Sequence, residues 1–399
     1  MLKDCYIVHA KRTPIGKMGG SLSEVRVDDL LAGLFCEIKN WANFDLKEID
    51  DIITGCANQA GEDNRNLSRM SAMLAGFPYE VPATTINRLC ASSLDSLVGA
   101  MGRISMGLAD CIVVGGAESM TRAPYAMSKG AKPFARDSKL YDTTFGWRFI
   151  NQKMSARFPL LGMGETAEQL NDLYHFKREQ QDLFALASHQ KAIKAQNTNS
   201  FTEEIVPVTI KKRKTTDIVD TDEGPRAETT LEKMSKLAPC FREGGTVTPA
   251  NSSSMNDGAA SLVVVSQVFL KRHNLTPLVR LTGAGIRGVN PSVMGLGPVA
   301  STEVLMNKYN KKIDDFDVIE LNEAFAAQAL ACIQELKLDP TKVNLNGGAI
   351  ALGHPLGCSG ARIMTTLTHL MRNNQQLKQG LATMCVGVGQ GISVSVERC

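Results

Sequence analysis

Two distant stretches of this chain read as weak copies of one another. Asn87-Arg88-Leu89-Cys90 opens a run with helical apolar spacing that leads to Ile112-Val113-Val114-Gly115-Gly116. Gly353-His354-Pro355-Leu356-Gly357-Cys358 opens a second such run, which leads to Met384-Cys385-Val386-Gly387-Val388-Gly389. Each copy puts a reactive side chain at a helix opening and a glycine-rich turn after the following strand. Self-similarity of this kind predicts an internal duplication. Duplicated α/β layers would bring both helix openings to a central pseudo-twofold axis. Residues far apart in sequence can then share one site.

With 399 residues the chain is too long for one simple core. Strand-like segments at Tyr6–Ala10, Asp51–Gly55, Ala83–Ile86 and Ala109–Val114 alternate with helix-like ones at Val27–Asn40, Asn66–Ala75 and Ser92–Met106. That alternation predicts a mixed α/β layer with buried strands. The rhythm breaks between about Thr121 and Gly245, where aromatic and polar residues mix around Trp147. An amphipathic helix from Lys177 to Gln196 stands out there, followed by a charged, turn-rich stretch. This block reads as a long insertion covering the core, where binding loops tend to lie. The α/β pattern then returns. It predicts a helix at Met255–Ala259, strands at Ser261–Val265, Leu278–Gly285, Val318–Leu321 and Leu381–Val386, and a helix at Glu323–Glu335.

Composition excludes several classes. A net charge of +3 does not suggest a nucleic-acid binder. The basic cluster Lys211-Lys212-Arg213-Lys214 reads as a solvated loop, with attraction of an anionic ligand as the alternative. The ten cysteines form no C-x-x-C pair and have no histidines at metal-ligand spacing, so no metal site is expected. Several sit in apolar runs, which suggests a reducing, intracellular compartment. No apolar run reaches membrane-spanning length, and the N-terminus lacks the pattern of a signal or transit peptide. The cytoplasm is the expected location.

Four segments carry candidate chemistry. Cys90 follows the β-branched Thr84-Thr85-Ile86 at a strand-to-helix junction. The positive end of a helix dipole should lower a thiol's pKa there. The alternative is a packed structural cysteine. His354 lies in Asn346-Gly347-Gly348-Ala349-Ile350-Ala351-Leu352-Gly353-His354-Pro355, a loop that permits close approach of a ligand. It reads either as a proton-transfer residue or as a turn residue capping a helix. Cys385 ends a strand before glycines with free N–H groups. It reads as an acid/base beside an oxyanion hole, or as a packed strand cysteine. Asn322, in Asn322-Glu323-Ala324-Phe325, is a natural N-cap, or an amide that holds a water for an oxyanion.

Together with Gly115-Gly116-Ala117-Glu118-Ser119-Met120 and Arg12-Thr13-Pro14-Ile15-Gly16, these segments resemble the thiolase family over nearly the whole chain. The resemblance implies an α/β fold of two duplicated αβαβα halves in a five-layered core. The first half would span 1–270, with a loop domain inserted at about 121–245. The second would span 275–399. It also implies a homo-oligomer, a dimer or a dimer of dimers. Coenzyme A and acyl-CoA are implied as substrates, with no bound cofactor, and an acyl-cysteine intermediate. By the same resemblance Cys90 looks like the nucleophile, His354 its base, and Cys385 the acid/base for the enolate. Asn322 looks like the holder of an oxyanion-hole water, and the N–H groups of Cys90 and Gly387 like a second hole. Ser253 and Arg226 align with pantetheine and adenine contacts, and Met163, Met294 and Phe325 with the lining of the acyl and pantetheine channel.

Subclass signals are fewer. Short-chain biosynthetic thiolases usually place a histidine before the methionine where this chain has Gly162-Met163. That departure speaks against an acetoacetyl-CoA thiolase running a Claisen condensation. Gly55–Asn66 and Asp142–Asn151 look like 3-oxoadipyl-CoA thiolases of aromatic-acid breakdown, which would put Arg148 or another loop arginine near a distal carboxylate. An ordinary fatty-acid 3-ketoacyl-CoA thiolase is the alternative. A catalytically silent acyl-CoA-binding protein on the same scaffold is an alternative of another class.

Overall fold

The computed structural model describes residues 3–130, 132–134 and 136–399. The strands of its main sheet are β1 (Cys5–Arg12), β2 (Asp51–Gly55), β3 (Ala83–Ile86), β4 (Cys111–Ser119), β5 (Asn256–Ser266), β6 (Val279–Gly288), β7 (Val318–Leu321), β8 (Gln379–Val386) and β9 (Gln390–Arg398). The longer helices are α1 (Val27–Trp41), α2 (Leu67–Leu74), α3 (Ser92–Ser105), α4 (Met163–Tyr174), α5 (Arg178–Asn197), α6 (Gly297–Tyr309), α7 (Ala326–Leu336) and α8 (Leu356–Asn373).

The strand order β7-β8-β9-β6-β1-β5-β4-β2-β3 makes the duplication visible. The seam is a short antiparallel pairing of Cys5–Ile7 in β1 with Val279–Leu281 in β6. Outward on one side, β1 pairs antiparallel with β5 and β5 antiparallel with β4. Then β4, β2 and β3 run parallel. On the other side β6 pairs antiparallel with β9, β9 antiparallel with β8, and β8 runs parallel to β7. The counterpart of β3 is reduced to one parallel bridge, Ile319 to Val343. Helices α1, α2 and α3 lead to β2, β3 and β4. Helices α6, α7 and α8 lead to β7, the Val343 bridge and β8.

Helices α3 and α8 pack on each other and on strands of both half-sheets. They form the middle of five layers, with α1 and α2 outside one half-sheet and α6 and α7 outside the other. Their apolar faces, Leu94, Leu97 and Ile104 on one and Ile363, Met364 and Leu367 on the other, join inward strand residues in one cluster. At the crossing a Cβ on Gly360 would lie 2.4 Å from the Leu94 amide nitrogen, so only glycine permits this approach. Ala361 N–H donates to Ser93 Oγ at 2.8 Å beside it.

Most expected elements are present within a residue or three. One expectation fails, and one helix start is displaced. Met255–Ala259 is not a helix; Asn256–Ser266 is one strand, buried along its whole length between β1 and β4. A strand buried on both faces loses the alternation that marks strands, and the small Gly258, Ala259 and Ala260 give no periodicity to read. The second helix of the later half begins at Ala326, not Glu323, and its N-cap is Phe325.

Between β4 and β5 the chain forms two small hairpins, Tyr125–Met127 with Leu140–Asp142 and Val208–Lys211 with Thr216–Val219, together with α4 and α5. The basic cluster is the exposed tip of the second hairpin, with Lys212 paired to Asp217. Helix α4 was not expected. Its N-cap is Gly162, whose N–H donates to the Glu165 carboxylate.

Candidate active site

Cys90 sits in a 3-10 turn, Leu89–Ala91, between β3 and α3. The turn is held on all sides. Asn87 Oδ1 accepts from Leu89 N–H at 2.8 Å, and its Nδ2 donates to Ala57 O at 2.9 Å. Ser92 Oγ accepts from Arg88 N–H at 2.9 Å and donates to Leu89 O at 2.6 Å. The result is a left-handed Leu89, φ 47°, immediately before the thiol. Strained non-glycine backbone of this kind persists where the surroundings over-determine it. Arg88 pairs with Asp95 at 3.0 Å and donates to Gln390 Oε1 at 2.9 Å. That bond ties the Cys90 turn to the β8–β9 turn of the other half.

The expectation of an acidified thiol fails. Burial pushes Cys90 up to about 11, against the downward pull of backbone N–H groups of Gly387 and of Cys90 itself. Desolvation outweighs those hydrogen bonds, which favours the thiol as the resting group.

His354 is buried at the opening of α8. Its N–H donates to Asn256 Oδ1 at 3.0 Å, and its Nδ1 lies 2.6 Å from Ser359 Oγ. Ser359 Oγ donates its own proton to Pro355 O at 2.9 Å. The hydroxyl can therefore only accept from the ring, which assigns the proton to Nδ1 and leaves Nε2 basic. Burial, with Arg362 nearby, lowers the ring to about 3, so it is neutral at working pH. His354 caps no helix; Pro355 occupies that position.

Two residues without an assigned role in the sequence reading hold this arrangement. Asn256, fully buried in the strand misread as a helix, fixes the His354 backbone and donates from Nδ2 to Gly16 O at 2.9 Å. Glu118, in the quoted Gly-Gly-Ala-Glu motif, accepts from Ala57 N–H at 2.9 Å, Asn58 N–H at 3.1 Å and Gly357 N–H at 2.8 Å. It joins the loop beside Cys90 to the start of α8. Burial raises its pKa to about 6, and those three bonds restrain the rise. The available signal for Glu118 was a carboxylate at the end of an apolar strand.

Cys385, near the end of β8, is buried. It clusters with Met163, Met294, Ala324 and Phe325, all expected channel residues except Ala324. Burial raises its thiol well above the ordinary value, and Cys90 lies close enough to add to that rise. A Cβ on Gly387 would lie 3.3 Å from Leu89 Cδ1 and 3.5 Å from Met163 Sδ, which places Gly387 of the second half against residues of the first. Asn322 N–H donates to Thr383 O at 3.0 Å, so Asn322 lies alongside the end of β8. It does not cap α7. Its side chain is fully buried, and neither amide atom has a hydrogen-bond partner among the described residues. A buried amide in that state needs an explanation, and a bound water or substrate oxygen would supply one.

Ser253 touches this cluster through Ala324 O, 2.9 Å from Oγ and 3.0 Å from N. Arg226 is not brought to Cys90. It is exposed beside a separate cavity with His189 and Lys194, its N–H donating to His189 Nδ1 at 3.2 Å.

A cavity of about 280 Å³ opens on Cys90. Leu89, Met120, Trp147, Leu161, Met163 and Val388 give it a mainly apolar wall. Arg148 lines the same cavity. Its guanidinium reaches Thr143 O only at 3.5 Å and makes no ion pair among the described residues.

Two family models match the chain: Thiolase, N-terminal domain, over residues 5–268, and Thiolase, C-terminal domain, over residues 275–398. A beta-ketoadipyl-CoA thiolase of Pseudomonas aeruginosa is 49% identical over 401 residues, covering 100% of both chains. A 3-oxoadipyl-CoA/3-oxo-5,6-dehydrosuberyl-CoA thiolase of Escherichia coli is also 49% identical, over 403 residues and 100% of both. Among solved structures, human mitochondrial 3-ketoacyl-CoA thiolase superposes with a TM-score of 0.93 at 37% identity, covering 100% of this chain and 99% of that one.

Proposed function

The chain belongs to the thiolase family, and on that premise we propose that it cleaves 3-oxoadipyl-CoA, or a close dicarboxylic analogue, with coenzyme A. The reaction class, acyl transfer from a 3-ketoacyl-CoA, is that of the family. The acyl group is the new part. One observation carries it: the Arg148 guanidinium, which makes no ion pair among the described residues, in the mainly apolar cavity that holds Cys90. A straight alkyl chain has no use for that cation, whereas a terminal carboxylate gains a charge-assisted hydrogen bond from it.

The chemistry assigned to the residues is as follows. His354 Nε2 takes the Cys90 proton as sulfur attacks the 3-keto carbon. The bond between C2 and C3 breaks and leaves an acyl-cysteine and the enolate of acetyl-CoA. Cys385 protonates C2 of that enolate, and acetyl-CoA departs. Coenzyme A then enters and gives its thiol proton to the Cys385 thiolate; its sulfur takes the acyl group from Cys90, whose departing sulfur recovers the proton held by His354, and succinyl-CoA is released when the substrate is 3-oxoadipyl-CoA. Two half-reactions through a covalent intermediate give ping-pong kinetics. The orphaned amide of Asn322 supports a role in holding the water that binds one developing oxyanion. The N–H groups of Cys90 and Gly387 serve the other, and each donor of this kind is worth roughly 3 kcal/mol. The 1–270 and 275–399 halves act as one unit, since Cys90 comes from the first and His354, Cys385 and Gly387 from the second.

The test is thiolysis of 3-oxoadipyl-CoA against 3-oxohexanoyl-CoA, which differ chiefly in the terminal carboxylate. A charge-assisted bond of about 1.5–3 kcal/mol predicts a preference of roughly 10- to 100-fold in kcat/KM. Arg148→Met should reduce that ratio to near one while leaving 3-oxohexanoyl-CoA turnover in place. Equal wild-type rates on both substrates would remove the proposal.

We also propose a homo-oligomer, a dimer or tetramer. The Tyr125–Met127/Leu140–Asp142 hairpin exposes Tyr125, Met127 and Leu140, and β3 is a sheet edge with one neighbour. Exposed apolar clusters and open edges mark interaction surfaces. Light scattering should give a mass of at least twice the 43.2 kDa chain; a monomer at micromolar concentration would contradict this.

A further inference from the structure

The β8–β9 connection is a three-residue turn, Gly387-Val388-Gly389, closed by the pairing of Val386 with Gln390. One of its residues is glycine for a visible reason: a Cβ on Gly389 would meet Val289 O at 2.3 Å, and the backbone there has φ 80°. Gly387 lies against the ends of Leu89 and Met163. The middle residue is the anomaly. Val388 has φ 62°, a left-handed conformation that glycine adopts freely and a β-branched residue adopts at a cost. The fold therefore carries an isopropyl group where its own backbone favours none.

Val388 is half-buried and lines the cavity it shares with Cys90, Trp147, Met163 and Arg148. It contributes no polar atom beyond its backbone, so its side chain can serve only packing or shape. Persistent strain at a site wall points to a function that outweighs it. We propose that Val388 is a specificity-determining residue: its side chain shortens the acyl cavity and holds the chain length to one whose terminal carboxylate meets Arg148. This rests on the dicarboxylic reading given above. The two are separable. Arg148 would recognise the carboxylate, whereas Val388 would exclude acyl chains that extend past it.

The experiment measures kcat/KM for 3-oxoadipyl-CoA, 3-oxohexanoyl-CoA and 3-oxodecanoyl-CoA with the wild type, Val388→Ala and Val388→Gly. Even one methylene more or less in an apolar pocket changes discrimination by about tenfold or more, and Val388→Gly removes the whole isopropyl group. The ratio of 3-oxodecanoyl-CoA to 3-oxohexanoyl-CoA turnover should therefore rise at least about tenfold in Val388→Gly, and by less in Val388→Ala, which keeps Cβ. Thermal melting reports on the backbone separately: Val388→Gly should melt no lower than Val388→Ala, because glycine relieves the left-handed strain. A chain-length ratio unchanged in both variants would overturn the proposal. So would an equal fall on all three substrates, which would make Val388 a support for the Gly387 turn alone. Failure of the dicarboxylic reading appears elsewhere, in the wild-type preference for 3-oxoadipyl-CoA over 3-oxohexanoyl-CoA.

Discussion

A Cys90→Ala variant will form no acyl-enzyme, and its thiolysis will fall by roughly 10⁴-fold or more, since removing a nucleophile leaves only binding and oxyanion stabilisation. A Cys385→Ala variant will fail differently. It retains Cys90, His354 and the backbone donors around them, so an activated acyl donor will still acylate it. It lacks the group proposed to move a proton at C2, so it will neither condense two acetyl-CoA molecules nor complete carbon–carbon cleavage. Mass spectrometry of the intact protein after exposure to acetyl-CoA reads the first step, as a gain of one acetyl group. The condensation assay reads the second. Equal loss of both steps in Cys385→Ala would contradict this division of labour. The prediction depends on both sulfurs lying in one site although they come from opposite halves. The influence of Cys90 on the Cys385 thiol and the position of Gly387 against Leu89 and Met163 support that placement.

The same duplication decides what could be read from sequence. The repeated helix-opening and glycine-turn pattern was visible in the residues around Cys90 and His354, and the strand order bears it out about the β1–β6 seam. β2 matched expectation because its β-branched Ile52, Ile53 and Thr54 mark a buried strand, and α1 because its buried and exposed positions alternate with helical spacing. Asn256–Ser266 did not, because burial on both faces erased its period. The thiol's acidity was misjudged for a related reason. A helix terminus can be inferred from sequence, but desolvation depends on how the folded chain packs around the thiol. Asn256, Ser359 and Glu118 lay in plain sight without a role. Their function is to hold backbone and ring atoms of residues brought near only by the fold. Arg148 was singled out by a local sequence likeness alone; its place in the Cys90 cavity without an ion pair among the described residues is a property of the packed chain.

The pKa directions at Cys90 and His354 lead to the second large effect. In a thiolate–imidazolium pair the nucleophile is already ionised, and alkylation is flat from mildly acidic pH upward. Here burial raises the thiol to about 11 and lowers the imidazole to about 3, so both groups rest neutral between those values. The reactive form of a thiol with a raised pKa is gained as pH rises. Iodoacetamide labelling of Cys90 in the free enzyme should therefore climb by up to about tenfold per unit from pH 7 to 10, with no plateau near neutrality. Turnover is different, because His354 Nε2 removes the proton during attack and need not wait for ionisation. Loss of an imidazole at low pH should then appear only well below its ordinary range, near the lowered value. His354→Ala removes the base and should cost roughly 10²–10⁴-fold in the acylation rate. Its residual rate should rise steeply with pH as hydroxide replaces the imidazole, while the wild-type rate stays nearly level over the same interval. Ser359→Ala offers the finer control. It removes the hydroxyl that accepts from Nδ1–H and so releases the tautomer without removing the base, and its loss should be smaller, with a wild-type-like pH profile. A labelling plateau below pH 7 in the wild type would mean that Cys90 and His354 rest as an ion pair, and that the site is less desolvated than its burial indicates.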